Sequence, residues 1–238
     1  MRVPRWILRA IAAQTVIVLA LVTLANTLGG HDPRTRAIIL MGDTLVLVWV
    51  VAGGALMWRY RDAVRAWMAR VPLRWEVKFV LFATGLALVE EAVTTSLTNL
   101  APEYGSQVGV AYITASNNYL IVIAFSSVVV FVPEFVGWML LLRRYDFTPN
   151  EVLLLYGLLG TTMEGSINPS SLLAGFWFFV YGLMVYLPAY CLPPGRPVQT
   201  PRWYHYVLTY VVPLAVAIPV VVVDTLAGRA LGIHLWTG

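Results

Sequence analysis

The amino-acid sequence predicts an all-α protein, a polytopic bundle of transmembrane helices. Of its 238 residues, 59% are hydrophobic and only 12% are charged, whereas soluble domains are about one quarter charged. The hydrophobic residues are gathered in several stretches of about 20 residues, the length that an α-helix needs to cross a bilayer. The alternating segments of about 10 residues that are typical of transmembrane β-barrels are not evident. We therefore expect residues 1–238 to form a single integral membrane domain.

Seven membrane-spanning helices are predicted. The first follows a basic start, as in a signal peptide, but its apolar stretch is longer than the roughly 7–15 residues of a signal-peptide core, so we expect it to be retained. The fifth is short, rich in Gly and Thr, and ends at Asn168-Pro169. It is expected either to form a tight hairpin with the sixth or to be partly unwound. The spans cover residues 7–28, 37–58, 79–100, 119–142, 151–168, 170–191 and 205–227.

The basic residues predict the orientation of the bundle, because Lys and Arg in short loops are enriched on the cytoplasmic side. With the N-terminus inside and the C-terminus outside, most of them fall on the cytoplasmic side. These are Arg2, Arg5, Arg9, Arg59, Arg61, Arg65, Arg70, Arg74, Lys78, Arg143, Arg144, Arg196 and Arg202. The outer side has only Arg34, Arg36 and Arg229. The expected location is a prokaryotic cytoplasmic membrane.

Two connecting segments have patterns of their own. Residues 59–78 place Val64, Trp67, Met68 and Val71 at helical spacing opposite several arginines. This pattern fits an amphipathic helix on the cytoplasmic leaflet or a solvated basic connector. The outer segment 101–118 is rich in Tyr and Gly, and it fits either a loop held by interfacial tyrosines or a lid over a cavity that opens outward.

Acidic residues inside the predicted spans are the strongest functional signal in the sequence. An ionisable group at that depth costs several kcal/mol unless it is paired, protonated or facing water. No Lys or Arg lies at comparable depth to neutralise these acids. They are Glu90 and Glu91 in the third span, Glu134 in the fourth and Glu164 in the fifth, with Asp43 and Asp224 in the outer thirds of the second and seventh.

Five residues are therefore the candidate site, as proton- or cation-handling groups or as general bases: Glu90, Glu91, Glu134, Glu164 and Asn168. At a rise of about 1.5 Å per residue, the adjacent pair falls near the midplane of the membrane. The glutamate of the fourth span falls about 5 Å toward the cytoplasm, and that of the fifth about 7 Å toward the outside. The acids are predicted to form a ladder.

The fourth span contains a proline immediately before its glutamate. Pro133 removes a backbone donor and is expected to open the helix ladder beside Glu134. Such acids are accommodated by protonation, by a bound cation or by water in a cavity, and each of these suits a proton or cation path or a site for a cationic substrate. The structural alternative is that protonated Glu and Thr side chains hydrogen-bond the helices together.

Several site classes are disfavoured by the composition. The single Cys191 excludes an intramolecular disulfide and a CxxC site. Histidine is nearly absent from the spans, which argues against haem, copper or His-based zinc sites. There is no GxSxG, HExxH or P-loop motif, and no cofactor is expected. The expected partners are the lipid bilayer and other membrane proteins or further copies of the chain, with no nucleic acid.

Three short motifs resemble the CPBP family, the CAAX-protease-like intramembrane proteases, whose pattern is EExxxR, FxxxH and HxxxN or HxxxD on successive helices. Here Glu90 and Glu91 begin E-E-A-V-T-T, in which Thr95 replaces the arginine. F-V-P-E has a shorter spacing and places Glu134 instead of histidine. E-G-S-I-N keeps the spacing, with Glu164 instead of histidine. The resemblance implies a divergent member with altered or absent protease activity.

Three functions are therefore open. The first is handling of protons or cations, or transport of a small cationic solute, with Glu90, Glu91 and Glu134 lining one cavity, sharing protons and losing function on change to Gln. The second is an intramembrane hydrolase with one glutamate of the adjacent pair as general base, and with Glu134, Glu164 and Asn168 as polarising groups. The third is an accessory or structural subunit of a membrane complex.

Overall fold

The computed structural model describes residues 5–29, 32–167, 172 and 175–230, and the described chain is helical without β-strands, as predicted. A π-helical stretch, Val46–Gly53, joins the second and third helices, and a 3-10 turn, Ala101–Tyr104, follows the fourth. The α-helices are α1 (Arg5–Leu28), α2 (Pro33–Leu45), α3 (Gly54–Arg70), α4 (Trp75–Asn99), α5 (Tyr119–Phe125), α6 (Ser127–Leu142), α7 (Pro149–Ile167), α8 (Phe176–Tyr190) and α9 (Trp203–Ala230).

Several of these helices have the length and composition of membrane spans. Four helical stretches in the described part of the chain qualify: Trp6–Leu28, Pro33–Arg70, Tyr119–Leu142 and Trp203–Ala227. The helix Phe176–Tyr190 is apolar but shorter. These stretches indicate a membrane protein. The number of spans, seven, and the inside position of the N-terminus stay predictions.

The second predicted span runs without interruption into the basic segment that follows it. The helix is continuous from Pro33 to Arg70 through the π-helical stretch, and α4 begins at Trp75 after a short extended turn. On the last turns of α3, Met68 is buried whereas Trp67 is 61% exposed. Residues 59–70 are therefore the end of a long helix, and their position on the membrane surface stays a prediction.

Helices α7 and α8 pack closely because glycines line their contact. A Cβ atom at Gly157 would collide with the backbone carbonyl of Phe178, and one at Gly160 would collide with the Tyr181 ring. From the other side, a Cβ at Gly182 would lie 2.8 Å from the carbonyl oxygen of Leu153. Small residues allow helix backbones to approach in this way. Of the two forms predicted for the fifth span, the structure has a continuous α7 packed along α8.

The same kind of contact joins α6 to α9, where a Cβ at Gly137 would lie 2.6 Å from the Cα of Pro213. Large aromatic side chains are buried on α4, α6 and α7. Phe79, Phe135, Trp138 and Tyr156 are all at most 2% exposed. Of the four helices in the α7–α8 and α6–α9 contacts, α6 and α8 also pack directly against α4, the helix that carries the adjacent glutamates.

The first turn of α7 is closed by a capping box. The Thr148 backbone N–H donates to Glu151 Oε2 at 2.8 Å, and the Glu151 N–H donates to Thr148 Oγ1 at 3.3 Å. Tyr206 of α9 also donates its hydroxyl to Glu151 Oε1 at 2.8 Å. Glu151 is 1% exposed, so this buried acid has a structural role that accounts for its position.

Helix α2 begins with an N-cap aspartate outside the predicted spans. Asp32 accepts hydrogen bonds from the Thr35 hydroxyl at 2.6 Å, from the Thr35 N–H at 3.1 Å and from the Arg34 N–H at 3.0 Å. These bonds, above all the one from the Thr35 hydroxyl, hold the pKa of Asp32 below its ordinary value of 3.8.

A pH dependence follows from this cap. Because the pKa of Asp32 is lower in the folded than in the unfolded protein, its contribution to stability is present above the unfolded value and is lost as pH falls through the folded value. Asn also caps helices but does not titrate. Melting temperatures measured between about pH 6 and about pH 3 should therefore fall more steeply for the wild type than for Asp32→Asn. Parallel curves would contradict this role.

Candidate functional site

The two adjacent glutamates lie in the middle of α4 and face the interior of the bundle. Glu90 is 3% exposed and Glu91 is 5% exposed. Residues one turn before and after them, Ala87, Thr94 and Thr95, are also buried. The polar face of α4 therefore packs against other helices, as expected for ionisable groups in a membrane helix.

Glu91 is surrounded by hydroxyl groups from three different elements. Its Oε2 accepts hydrogen bonds from Thr94 of α4 at 3.2 Å and from Thr114 of the segment after α4 at 3.1 Å. Ser127, the first residue of α6, lies near this carboxyl group and interacts with it electrostatically. The carboxyl group of Glu91 thus links α4, the 105–118 segment and α6.

Glu164 of α7 joins the adjacent pair. Its carboxylate accepts a hydrogen bond from the hydroxyl of Tyr181 on α8. Glu90 is close enough to both Glu91 and Glu164 to interact with them electrostatically, and Glu91 interacts with Glu164 in the same way. Tyr181 interacts with all three carboxyl groups. We call Glu90, Glu91 and Glu164 the acidic cluster.

Glu134 makes a separate buried pair. Its Oε2 accepts a hydrogen bond from the hydroxyl of Tyr156 on α7 at 2.9 Å, and the residue is 4% exposed. Tyr156 also packs against the Phe135 and Trp138 rings. The described interactions of Glu134 include none with the acidic cluster. The fifth candidate, Asn168, lies outside the described residues.

The fourth predicted span is interrupted beside the acidic cluster. Helix α5 ends at Phe125, Ser126 has non-helical dihedrals (φ −141°, ψ −102°), and α6 begins at Ser127. Serine side chains compete for backbone hydrogen bonds and favour helix ends. The sequence indicated an opening near Pro133, but that proline lies inside α6. The interruption brings the N-terminus of α6, the positive end of its dipole, to the carboxyl group of Glu91.

The segment that connects α4 to α5 folds back into the bundle. Ala111 is fully buried, the backbone N–H of Ile113 donates to Thr98 Oγ1 at 3.3 Å, and Asn99 Nδ2 donates to the Asn117 carbonyl at 2.8 Å. Irregular backbone inside a membrane is tolerated where it is buried in protein or lines a cavity. Residues 105–118, which we call the covering segment, therefore pack against the last turns of α4 and reach Glu91 through Thr114. A role of this segment as a lid stays a prediction.

Two tyrosines of this region also bond into the bundle. Tyr104 donates its hydroxyl to Thr44 Oγ1 at 3.2 Å, and Tyr119 donates to the Leu88 carbonyl at 2.9 Å. Leu88 lies just before the adjacent glutamates on α4. The tyrosine hydroxyls thus fasten both ends of the covering segment to neighbouring helices.

One hydroxyl of the α4 polar face is buried without a partner. Thr95 is 4% exposed and lies one helical turn beyond Glu91, yet its Oγ1 has no hydrogen-bond partner among the described residues. Buried polar atoms without partners are uncommon and call for an explanation. This hydroxyl is available to bond a group bound next to the acidic cluster.

No basic side chain of the described residues neutralises the carboxyl groups of the acidic cluster. None of the described Lys or Arg residues is fully buried, and the groups that interact with the cluster are hydroxyls and other carboxyl groups. Within the described ranges, no group of three or more His, Cys, Asp or Glu side chains has an arrangement that could hold a metal ion. The carboxyl groups can bind protons, and a cation held there would need the neighbouring hydroxyl oxygens as further ligands.

The hydroxyl partners of the acids were missed from the sequence alone. Thr114, Ser127, Tyr156 and Tyr181 come from different elements, and only the folded chain brings them to the carboxyl groups. The Ser126-Ser127 pair was the one usable signal, because adjacent serines in an apolar span favour a helix end.

Comparison of the chain with protein-family models, with curated proteins and with solved structures finds no match. The function therefore has to be inferred from the geometry of the site. That geometry combines buried acids, hydroxyl partners, an interrupted helix and a covering segment.

Proposed function

We propose that this membrane protein moves protons or small cations across the bilayer by binding them at the acidic cluster. The observation that carries the proposal is the convergence of Glu90, Glu91 and Glu164 from two helices, with no Lys or Arg of the described chain among the groups that interact with them. Unneutralised carboxyl groups at this depth are stable when they hold protons or a cation. A site that requires such an ion is suited to carrying it.

The hydroxyl partners support binding and release. A hydroxyl group donates to a carboxylate and accepts from a protonated carboxyl group. Thr94 and Thr114 can therefore bond Glu91 in either state, and Tyr181 can do the same for Glu164. The same oxygens are suitable ligands for a hard cation such as Na⁺. Glu91 and Glu164 can therefore keep these hydrogen bonds when the cluster takes up or releases an ion.

The backbone around the cluster supports a path for the ion. Interrupted helices with a half-helix terminus at the binding site are typical of secondary transporters, in which they line a cavity. Here the interruption at Ser126 and the covering segment 105–118 both lie beside Glu91. The free hydroxyl of Thr95 offers one further ligand on the predicted outer side. Movement of the covering segment would open the cluster to that side.

Ion flux through reconstituted vesicles tests the proposal. The purified full chain is placed in liposomes that contain a pH-sensitive dye, and a pH gradient is imposed with valinomycin and K⁺ as charge compensation. We expect the gradient to decay faster than in protein-free liposomes, and an imposed Na⁺ gradient distinguishes exchange from proton flux. Decay equal to that of empty liposomes under both gradients would contradict the proposal.

A second candidate function is intramembrane hydrolysis, with Glu90 or Glu91 as general base. The observation that favours it is that Glu164, the residue at the histidine position of the third CPBP-like motif, lies beside the adjacent pair of the first motif. A base activated by a neighbouring polar group could deprotonate a water molecule. Incubation of the reconstituted protein with labelled transmembrane peptides tests it, since cleavage without ion flux would favour this function over transport.

A further inference from the structure

A cavity of about 450 Å³ lies between the C-terminal end of α6 and the first half of α9, far along α6 from the acidic cluster. Its walls are apolar and include Leu140 and Leu141 of α6 with Leu208 and Val212 of α9. Two consecutive arginines and a tyrosine, Arg143, Arg144 and Tyr145, complete the lining. We call this space the α6–α9 cavity.

The arginines at the cavity are held in place by the backbone. The Gln199 N–H donates to the Arg144 carbonyl at 2.8 Å, and the Asp146 N–H donates to the Gln199 carbonyl at 2.9 Å. The Tyr145 ring stacks on the His205 ring with 4.0 Å between centroids. These contacts fix the backbone of residues 144–146 at the corner between α6 and α9, where the side chains of both arginines begin.

Their charge is only partly neutralised. Arg143 Nε lies 3.8 Å from Glu76 Oε1, a carboxylate that Arg74 contacts at 3.2 Å. The exposed Arg144 has no ion-pair partner among the described residues. The cavity therefore combines an excess positive charge at its rim with hydrocarbon walls.

We propose that the α6–α9 cavity binds an anionic phospholipid. Guanidinium groups bind phosphate oxygens through paired hydrogen bonds, and basic pockets between helices on the cytoplasmic side are typical sites for acidic lipid headgroups. The phosphate would lie at Arg143 and Arg144, and an acyl chain would lie along Leu208 and Val212.

The surface around the cavity favours a lipid over a free phosphate ion. On α9, Trp203 is 73% exposed, Val207 is 56% exposed and Val211 is 51% exposed. An exposed tryptophan at the end of an exposed apolar helix face is typical of the membrane–water interface. A free anion would contact the arginines alone, whereas a lipid would contact both the arginines and this apolar face.

Lipid-dependent stability of the purified full chain in a neutral detergent tests the proposal. Melting temperatures are recorded while phosphatidylglycerol is added, with phosphatidylcholine and inorganic phosphate added in parallel. We expect phosphatidylglycerol to raise the melting temperature at lower concentration than phosphatidylcholine. Arg144→Gln should shift the half-maximal phosphatidylglycerol concentration upward about fivefold. Its matched control is Arg70→Gln, because Arg70 is an exposed arginine at the end of α3 on the same predicted side.

Each outcome decides between sources of the effect. A shift in Arg144→Gln with a wild-type response in Arg70→Gln supports the site. An equal shift of the half-maximal concentration in both variants would show that the lipid is attracted by the overall charge. An increase of the melting temperature by inorganic phosphate equal to that by phosphatidylglycerol would show a free-anion site. Either result overturns the proposal.

Val212→Thr, which keeps the shape of the wall but adds a hydroxyl, should weaken the response of the melting temperature to lipid without changing any response to phosphate. The site is independent of ion flux, so its failure leaves the proposed function untouched.

Discussion

Replacement of Glu91 by Gln is expected to slow ion flux in reconstituted vesicles about tenfold or more, which corresponds to at least about 1.4 kcal/mol in the barrier. Gln has nearly the shape of Glu and still accepts hydrogen bonds from Thr94 and Thr114, but it cannot take up a proton or balance the charge of a cation. The side chain lies at the junction of α4, α6 and the covering segment. The loss should therefore be one of ion binding and not of folding.

The matched control is Glu103→Gln. Glu103 is exposed in the short 3-10 turn after α4, so the substitution removes the same charge at the predicted outer end of the bundle without touching the cluster. Flux should stay at the wild-type level in this control. Wild-type flux in Glu91→Gln, with both variants eluting as the folded protein in gel filtration, would remove the cluster from the mechanism.

Glu134→Gln separates the cluster from the other buried acid. The sequence predicted that Glu134 shares protons with the adjacent pair, whereas the structure pairs it with Tyr156. The glutamine side chain of this variant would still accept the tyrosine hydrogen bond. We therefore expect Glu134→Gln to retain most of the flux that Glu91→Gln loses, and an equal loss in both would place Glu134 on the ion path.

The helices and the inward polar face of α4 could be predicted because each depends on short-range pattern. Runs of apolar residues give the helical stretches, and the cost of exposing Glu90 and Glu91 to lipid directs them into the bundle. These features need no knowledge of which helices are neighbours.

The partners of the acids could not be predicted because they depend on tertiary packing. Whether Glu134 meets Tyr156 or Glu90 is decided by the rotation of α6 against α7, which apolar periodicity in a membrane helix hardly constrains. The hydrogen bond from Thr114 to Glu91 depends in the same way on tertiary structure, because Thr114 lies in an irregular segment whose path is set by its packing. Both Ser126 and Pro133 disturb a helix, so the sequence offers two possible points at which the fourth span is interrupted, and the structure has the interruption at Ser126.

The largest loss of stability is expected from Gly157→Ala. A Cβ atom at this position collides with the backbone carbonyl of Phe178, and a backbone carbonyl cannot rotate out of the way as a side chain can. Helices α7 and α8 would have to separate, which by analogy with overpacked cores costs about 1–3 kcal/mol. Thermal unfolding in detergent measures the effect.

Gly85→Ala is the control that separates packing from helix propensity. Gly85 lies inside α4, and a Cβ there would meet no atom within 4 Å, so the alanine should be neutral or stabilising by up to about 1 kcal/mol. Equal stability of the two variants would contradict the close α7–α8 contact. The contact also bears on function, because α7 carries Glu164 and α8 carries its partner Tyr181. Separation of these helices should therefore reduce ion flux in Gly157→Ala, while Gly85→Ala retains it.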